Sequence, residues 1–211
     1  MKTDDLIRIL STNVEPIDRR QVEREVAAAV GIGTAAAVGA VLIFSGPRAD
    51  VSDARALTFL MLKLAFAIAI IVTASIYLVR LARPGGEMRT KITWAGWPFL
   101  GIALLAAISL VLAPLWHWHT MGTDWLECLL SIPLIAIVPF AVVIWVVRRM
   151  APTDLTRTGA LAGLVAGGMS AAGYALHCTD DSLPFIALWY GGTIALCMLA
   201  GAVLGPRLLR W

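Results

Sequence analysis

Long apolar segments separated by short polar ones dominate the chain from about residue 26 onward. Each holds about 20 residues, which at about 1.5 Å of rise per residue is enough to cross a hydrocarbon core of about 30 Å. The segments span residues 26–45, 58–78, 94–115, 126–146, 158–178 and 183–204. Because backbone polar groups must be paired within lipid, we predict an all-α fold, a six-transmembrane-helix bundle.

The composition agrees with a membrane protein and disfavours a soluble domain. Hydrophobic residues make up 59% of the 211 residues and charged residues only 15%, and the mean hydropathy is +0.82. The connections are short, so neighbouring helices are expected to run antiparallel. We therefore predict two parts, a cytoplasmic tail of residues 1–25 and a transmembrane domain of residues 26–211.

The basic residues are distributed unequally between the two sides of the bundle. Most Lys and Arg lie in the N-terminal tail, the second and fourth connections and the C-terminal tail, whereas only Arg48, Arg55 and Lys63 lie on the other side. By the positive-inside rule, both termini are predicted to be cytoplasmic. The net charge of +3 follows from this topology and gives no argument for direct nucleic-acid binding.

Small residues recur at helical spacing in the last two segments. Gly159, Gly163, Gly167, Ala171 and Ala175 follow one another every four residues, and the last segment carries Gly201 and Gly205. Such stripes allow helix backbones to approach closely in membranes. We predict that they form a packing seam.

Catalytic motifs and a transport pathway are both missing from the sequence. There is no zinc-protease helix, nucleophile elbow or phosphate loop, so we predict no enzymatic activity. Lys63 is the ionisable residue nearest the bilayer centre, and we expect it to snorkel to water or to meet Asp50 or Asp53.

The N-terminal tail contains a short amphipathic pattern. Thr3 can cap a helix in which Leu6, Ile9 and Leu10 share one face. A helix of about eight residues is marginal in water, and docking on a partner protein would stabilise it. The alternative is a tail that only supplies topogenic charge or lies on the membrane surface.

Two cysteines are expected at the same depth near the outer face. Cys128 opens the fourth segment and Cys178 closes the fifth, whereas Cys197 lies mid-span as a packing residue. Three interpretations remain open: a structural disulfide, a redox- or metal-sensing pair, and unrelated thiols. The candidate metal ligands are Cys128, His177, Cys178 and Asp180, with His117 and His119 as possible additions.

Several segments together resemble the negative regulator of sigma-F family, which are six-span bacterial anti-sigma factors. They are the opening Met1-Lys2-Thr3-Asp4-Asp5-Leu6-Ile7, Glu127-Cys128-Leu129, the run from Tyr174-Ala175-Leu176-His177-Cys178 to Thr179-Asp180-Asp181-Ser182, and Trp189-Tyr190. The resemblance covers essentially the whole chain. It implies a multi-pass protein of the bacterial inner membrane.

The resemblance also implies a role for each unexplained region. The tail would hold an extracytoplasmic-function (ECF) sigma factor, and Cys128, His177 and Cys178 would perceive a signal, with no cofactor beyond a transient metal ion. The sigma-binding residues would be Thr3, Asp4, Asp5, Leu6, Ile7, Ile9 and Leu10. The main alternative is a small metal-handling membrane transporter. A third reading is a membrane partner that recruits a soluble protein without sensing a signal. The sequence does not give the oligomeric state.

Overall fold

The computed structural model describes residues 5, 19–50, 52–82, 95–112, 122 and 124–210. In these residues the chain forms helices and no strand, which confirms the prediction of an all-α protein. The helices are α1 (Arg19–Phe44), α2 (Ala54–Leu81), α3 (Trp97–Leu112), α4 (Trp125–Arg148), α5 (Leu155–Ala175) and α6 (Leu183–Leu208). Helix α6 contains one π-helical turn, Ile186–Tyr190.

Side-chain caps explain where three of these helices begin. Asp53 accepts a hydrogen bond from the backbone N–H of Arg55 at the start of α2, and Asp154 accepts one from Arg157 at the start of α5. The Ser182 hydroxyl accepts one from the N–H of Phe185. Each cap satisfies an N–H group that has no partner within its helix.

Four helices are long and apolar enough to cross a membrane: α1, α2, α4 and α6. Helix α3 is apolar but has only 16 described residues, and α5 has 21 residues, many of them Gly and Ala. The structure thus supports a membrane protein with four candidate spans and one shorter apolar helix. The number six and the cytoplasmic termini stay predictions.

Helix α5 lies at the centre of the bundle and contacts α1, α2, α4 and α6. Apart from Ala160, residues 158–175 are buried. A Cβ atom built on Gly159 would lie 2.6 Å from the Cα of Gly205, and one on Gly163 would lie 3.2 Å from the Cα of Gly201. The predicted seam is confirmed, and its pairing order shows that α5 and α6 are antiparallel.

Helix α3 lies at the edge of the bundle. It packs against α2 and the first turns of α6, and the Phe99 ring meets that of Phe66 edge-to-face with centroids 5.8 Å apart. Within α3 only Ile102 and Ala106 are buried. Its remaining surface is apolar, as expected for a helix that faces lipid.

The antiparallel helices bring distant parts of the sequence together at each end of the bundle. At one end, which we call the cysteine end, lie residues 45–50 and 52–53 between α1 and α2, the start of α4, and residues 176–182 between α5 and α6. The start of α1, close to the N-terminal tail in sequence, lies at the opposite end. The candidate functional site lies at the cysteine end.

Candidate functional site

Cys128 and Cys178 both lie in the protein interior at the cysteine end. Cys128 is in the first turn of α4, where its N–H donates to the Asp124 carbonyl (3.0 Å). Cys178 follows α5, and its N–H donates to the Tyr174 carbonyl (3.0 Å). The exposed fractions of the two cysteines are 0% and 3%, and both thiols are free. Both cysteines belong to the same core cluster.

Lys63 places a buried cation beside Cys178. Its Nζ donates to the Cys178 carbonyl oxygen (3.0 Å) and to Asp181 Oδ1 (3.1 Å), and it lies 3.7 Å from the Cys178 sulfur. The same Nζ lies 5.8 Å from the centroid of the Tyr190 ring, a cation–π distance. A buried ammonium needs such partners because desolvation would otherwise make its charge very costly.

The expectation for Lys63 was therefore wrong. We predicted a side chain that reaches water or meets Asp50 or Asp53, but its exposed fraction is 0% and its carboxylate partner is Asp181. The reason is tertiary: residues 176–182 fold over this end of α2 and supply both a carboxylate and a carbonyl. Snorkelling occurs where a helix faces lipid or water, and this part of α2 faces neither.

Arg48 continues the charged network. Its Nε and Nη2 donate to the two carboxylate oxygens of Asp50 (2.6 and 2.9 Å), and Nη2 also donates to Asp181 Oδ2 (2.8 Å). The Arg48 side chain is only 1% exposed. Asp181 thus bridges two buried cations, one on α2 and one after α1. With Asp50 included, the four formal charges cancel.

The network shifts the pKa values of Arg48 and Asp50, which lie in the connection after α1. The Arg48 guanidinium donates hydrogen bonds to Asp50 and lowers the pKa of that carboxyl to about 2. The same hydrogen bonds raise the pKa of Arg48 above its already high value. This ion pair is therefore charged throughout the physiological pH range.

The other predicted ligands are engaged in structural hydrogen bonds. His177 Nδ1 lies 3.1 Å from the Gly46 carbonyl oxygen, and Asp180 Oδ2 accepts a hydrogen bond from the N–H of Asp124 (3.1 Å). Among the described residues, no group of three or more His, Cys, Asp or Glu side chains is placed to hold a metal ion. His117 and His119 lie outside the described residues, so the metal site stays a prediction.

Three aromatic side chains pack together in the core cluster that also contains Cys128 and Cys178. Tyr174 and Tyr190 lie with ring centroids 6.2 Å apart, and Phe185 lies 6.3 Å from Tyr190. All three side chains are almost fully buried. The π-helical turn Ile186–Tyr190 adds a residue to one turn of α6, and both Ile186 and Tyr190 are buried.

Sequence reasoning missed the joint role of Lys63, Arg48 and Asp181. A lone lysine within an apolar segment was the available signal, because such a charge requires a partner when it is buried. The partner is 118 residues away in sequence, so only the fold identifies it. Of the predicted tail residues, only Asp5 is described, and it is exposed. The others lie outside the described residues.

Comparisons with known proteins identify the family. Residues 10–211 match the family described as negative regulator of sigma F. The chain belongs to this family. That confirms the resemblance and supports a regulatory protein that is not an enzyme. The match begins at residue 10, so of the predicted sigma-binding residues it includes only Leu10.

Two relatives resemble the chain over their whole length. The probable anti-sigma-F factor NrsF of Azospira oryzae is 31% identical over 213 residues, and the alignment covers 100% of both chains. The anti-sigma-F factor NrsF of Caulobacter vibrioides is 31% identical over 223 residues, again with 100% of both chains covered. No solved structure matches the chain.

Proposed function

We propose that this chain is a membrane-bound anti-sigma factor that sequesters an ECF sigma factor through its cytoplasmic N-terminal tail. In this proposal, a redox or heavy-metal signal at Cys128 and Cys178 releases the sigma factor. The observation that carries the proposal is full-length similarity to two anti-sigma-F factors. The four long apolar helices support a membrane location.

The direction of α1 supports a separation between the signal and the tail. Helix α1 begins at Arg19, soon after the tail, and ends at Phe44 beside the cysteine end. Its 26 residues correspond to about 39 Å at 1.5 Å per residue. If α3 and α5 also cross the membrane, the chain has six spans. Both termini would then be cytoplasmic, and the thiols would lie near the outer face.

The chemistry of the thiol pair suits a signal of this kind. A two-electron oxidant could convert the two thiols to a disulfide with loss of two protons and two electrons, which links α4 to the end of α5. A thiophilic metal ion would displace the same protons. Either event favours one helix arrangement over another, and a tenfold release requires a difference of only about 1.4 kcal/mol.

Deletion of the tail tests the first half of the proposal. We expect the full-length chain, purified from its host's membranes in mild detergent, to retain a sigma factor identifiable by mass spectrometry. The chain that lacks residues 1–12 should lose it, although the membrane domain is intact. Equal recovery of the sigma factor with both chains would contradict the role of the tail.

Replacement of the cysteines tests the second half. The Cys128→Ser/Cys178→Ser variant should still hold the sigma factor but should no longer release it when a thiol oxidant is added. Cys197→Ser is the matched control, because Cys197 packs against the glycine seam away from the cysteine end. An unchanged release curve in the double variant would refute sensing and leave sequestration untouched.

A further inference from the structure

Lys63 makes more contacts with the Cys178 region than a packing residue requires. Its ammonium contacts the Cys178 carbonyl, the Cys178 sulfur and Asp181, and its side chain is fully buried. Three donors thus meet three acceptors on one short loop. Movement of the Cys178 backbone therefore requires Lys63 to exchange or lose partners.

Asp181 connects the same loop to the end of α1. Its carboxylate binds Lys63 of α2 through Oδ1 and Arg48 through Oδ2. The N–H of Arg48 also donates to the Leu176 carbonyl (2.9 Å), so both the backbone and the side chain of Arg48 hold the loop. Only three residues separate Arg48 from the end of α1 at Phe44.

We propose that Lys63 is the positioning residue for Cys178, and that Asp181 and Arg48 pass a change at the Cys178 sulfur to α1, the helix that follows the N-terminal tail. The coupling to the tail rests on the function proposed above. The positioning of Cys178 does not.

The packing of α1 against α2 makes such coupling mechanically reasonable. At the end of the bundle opposite the cysteine end, a groove of about 510 Å³ separates the two helices, between Val26 and Val30 on one side and Ile71 and Val79 on the other. At the cysteine end, in contrast, Asp181 joins Lys63 of α2 to the residues after α1. Displacement of Asp181 would remove this link, while the groove leaves α1 room to shift.

The charge balance explains why these contacts would change together. The Arg48 and Lys63 side chains are almost fully buried, so movement of Asp181 away from Lys63 would leave a buried ammonium without a carboxylate partner. Asp181 follows Cys178 by only three positions, so a disulfide or a bound metal at Cys178 would also move the backbone near Asp181. The contacts of Asp181 with Lys63 and Arg48 would then change together.

Labelling of Cys178 tests its positioning without a sigma factor. In native membranes, the Cys128→Ser/Cys197→Ser chain carries one thiol, and its rate of reaction with a small maleimide is measured with and without Lys63→Met. We expect labelling to become about tenfold faster, because the loop opens more often once the three Lys63 contacts are lost. Loss of a nearby ammonium alone would slow thiolate chemistry, so the sign of the change separates positioning from electrostatics.

Arg55→Met is the matched control, because Arg55 lies on the same end of α2 but is exposed. It should leave the labelling rate within about twofold, as expected for a surface change. An unchanged or slower rate in Lys63→Met would overturn the positioning role.

Release of the sigma factor tests the coupling. With all native cysteines present, the ratio of sigma factor bound before and after oxidation is compared for wild type, Lys63→Met and Arg55→Met. We expect the ratio to fall close to one in Lys63→Met and to stay at the wild-type value in Arg55→Met. A wild-type ratio in Lys63→Met would overturn the coupling.

A second variant keeps the coupling testable if Lys63→Met fails to accumulate. Arg48→Gln removes the side-chain link from Asp181 to the end of α1. It keeps the Lys63–Asp181 pair and the bond from the Arg48 N–H to the Leu176 carbonyl, so it should reduce release without faster labelling of Cys178. A wild-type release response would refute the link to α1. If the wild-type chain holds no sigma factor, the proposed function fails, and the labelling experiment still decides the role of Lys63.

Discussion

Substitution of Gly159 by alanine should weaken the packing of α5 against α6. The new Cβ atom would lie 2.6 Å from the Cα of Gly205, whereas ordinary van der Waals contact begins at 3.4 Å. The Gly201 carbonyl oxygen lies closer still, so the two backbones must separate by about 0.8 Å or more, since neither atom belongs to a flexible side chain. Overpacking of this kind costs about 1–3 kcal/mol.

Helix propensity partly offsets this cost. Alanine is favoured over glycine inside a helix by about 0.5–1 kcal/mol, so we expect a net loss of about 1–2 kcal/mol at Gly159. Gly39→Ala in α1 is the matched control, because no heavy atom beyond the neighbouring backbone of α1 lies within 4 Å of its Cβ position. It should be neutral or slightly stabilising.

Reversible unfolding of the purified chains in mixed micelles, with increasing denaturing detergent, measures both variants under the same conditions. The free energy of unfolding should be lower for Gly159→Ala than for Gly39→Ala by about 2 kcal/mol. Equal free energies of unfolding for the two variants would mean that α5 and α6 can separate at little cost. That result would refute the claim that their close backbone contact stabilises the bundle.

Three further predictions concern the cysteine end. Asp181→Asn leaves Lys63 buried without its carboxylate and should lower the free energy of unfolding by about 3–5 kcal/mol, measured in the same micelles. Because the pKa of Asp50 is held at about 2 by Arg48, below its unfolded value, their ion pair stabilises the fold fully above about pH 4. That stabilisation is lost as the pH falls through about 2, so the difference in Tm between wild type and Asp50→Asn should be constant from pH 8 to 5 and shrink below 4. Gly122→Ala should cost about 1–2 kcal/mol or more in the same unfolding assay, because its φ of +71° is left-handed and a Cβ there would lie 2.6 Å from Asp180 Oδ2.

The helices could largely be predicted from the sequence, because apolar runs and small-residue spacing are local signals. Residues 126–146 agree with α4 to within two residues, whereas α1 begins seven residues before the predicted segment 26–45. The glycine spacing predicted the seam, and the structure supplies the pairing of Gly159 with Gly205. Helix ends were less accurate. Helix α2 begins at its Asp53 cap rather than at the apolar run, since polar residues join a helix when a cap satisfies its first N–H groups.

The candidate site could be predicted only in part. The placement of Cys128 and Cys178 at one end follows from the antiparallel arrangement of successive helices. Apolar runs joined by short connections are enough to predict that arrangement. The bridge from Lys63 through Asp181 to Arg48 depends on how residues 176–182 fold over α2, and no local pattern encodes that contact. The predicted role of the tail is untested, because its apolar positions lie outside the described residues.

The burial of α5 has a consequence for how the chain enters the bilayer. A helix rich in Gly and Ala gains little from lipid when it is alone, and its contacts are with protein on all sides. We therefore expect α5 to leave the translocon together with α6 as a helical hairpin, closed by the loop that carries Cys178. Biogenesis of the loop that carries Cys178 would then depend on the same glycines that hold the finished bundle together.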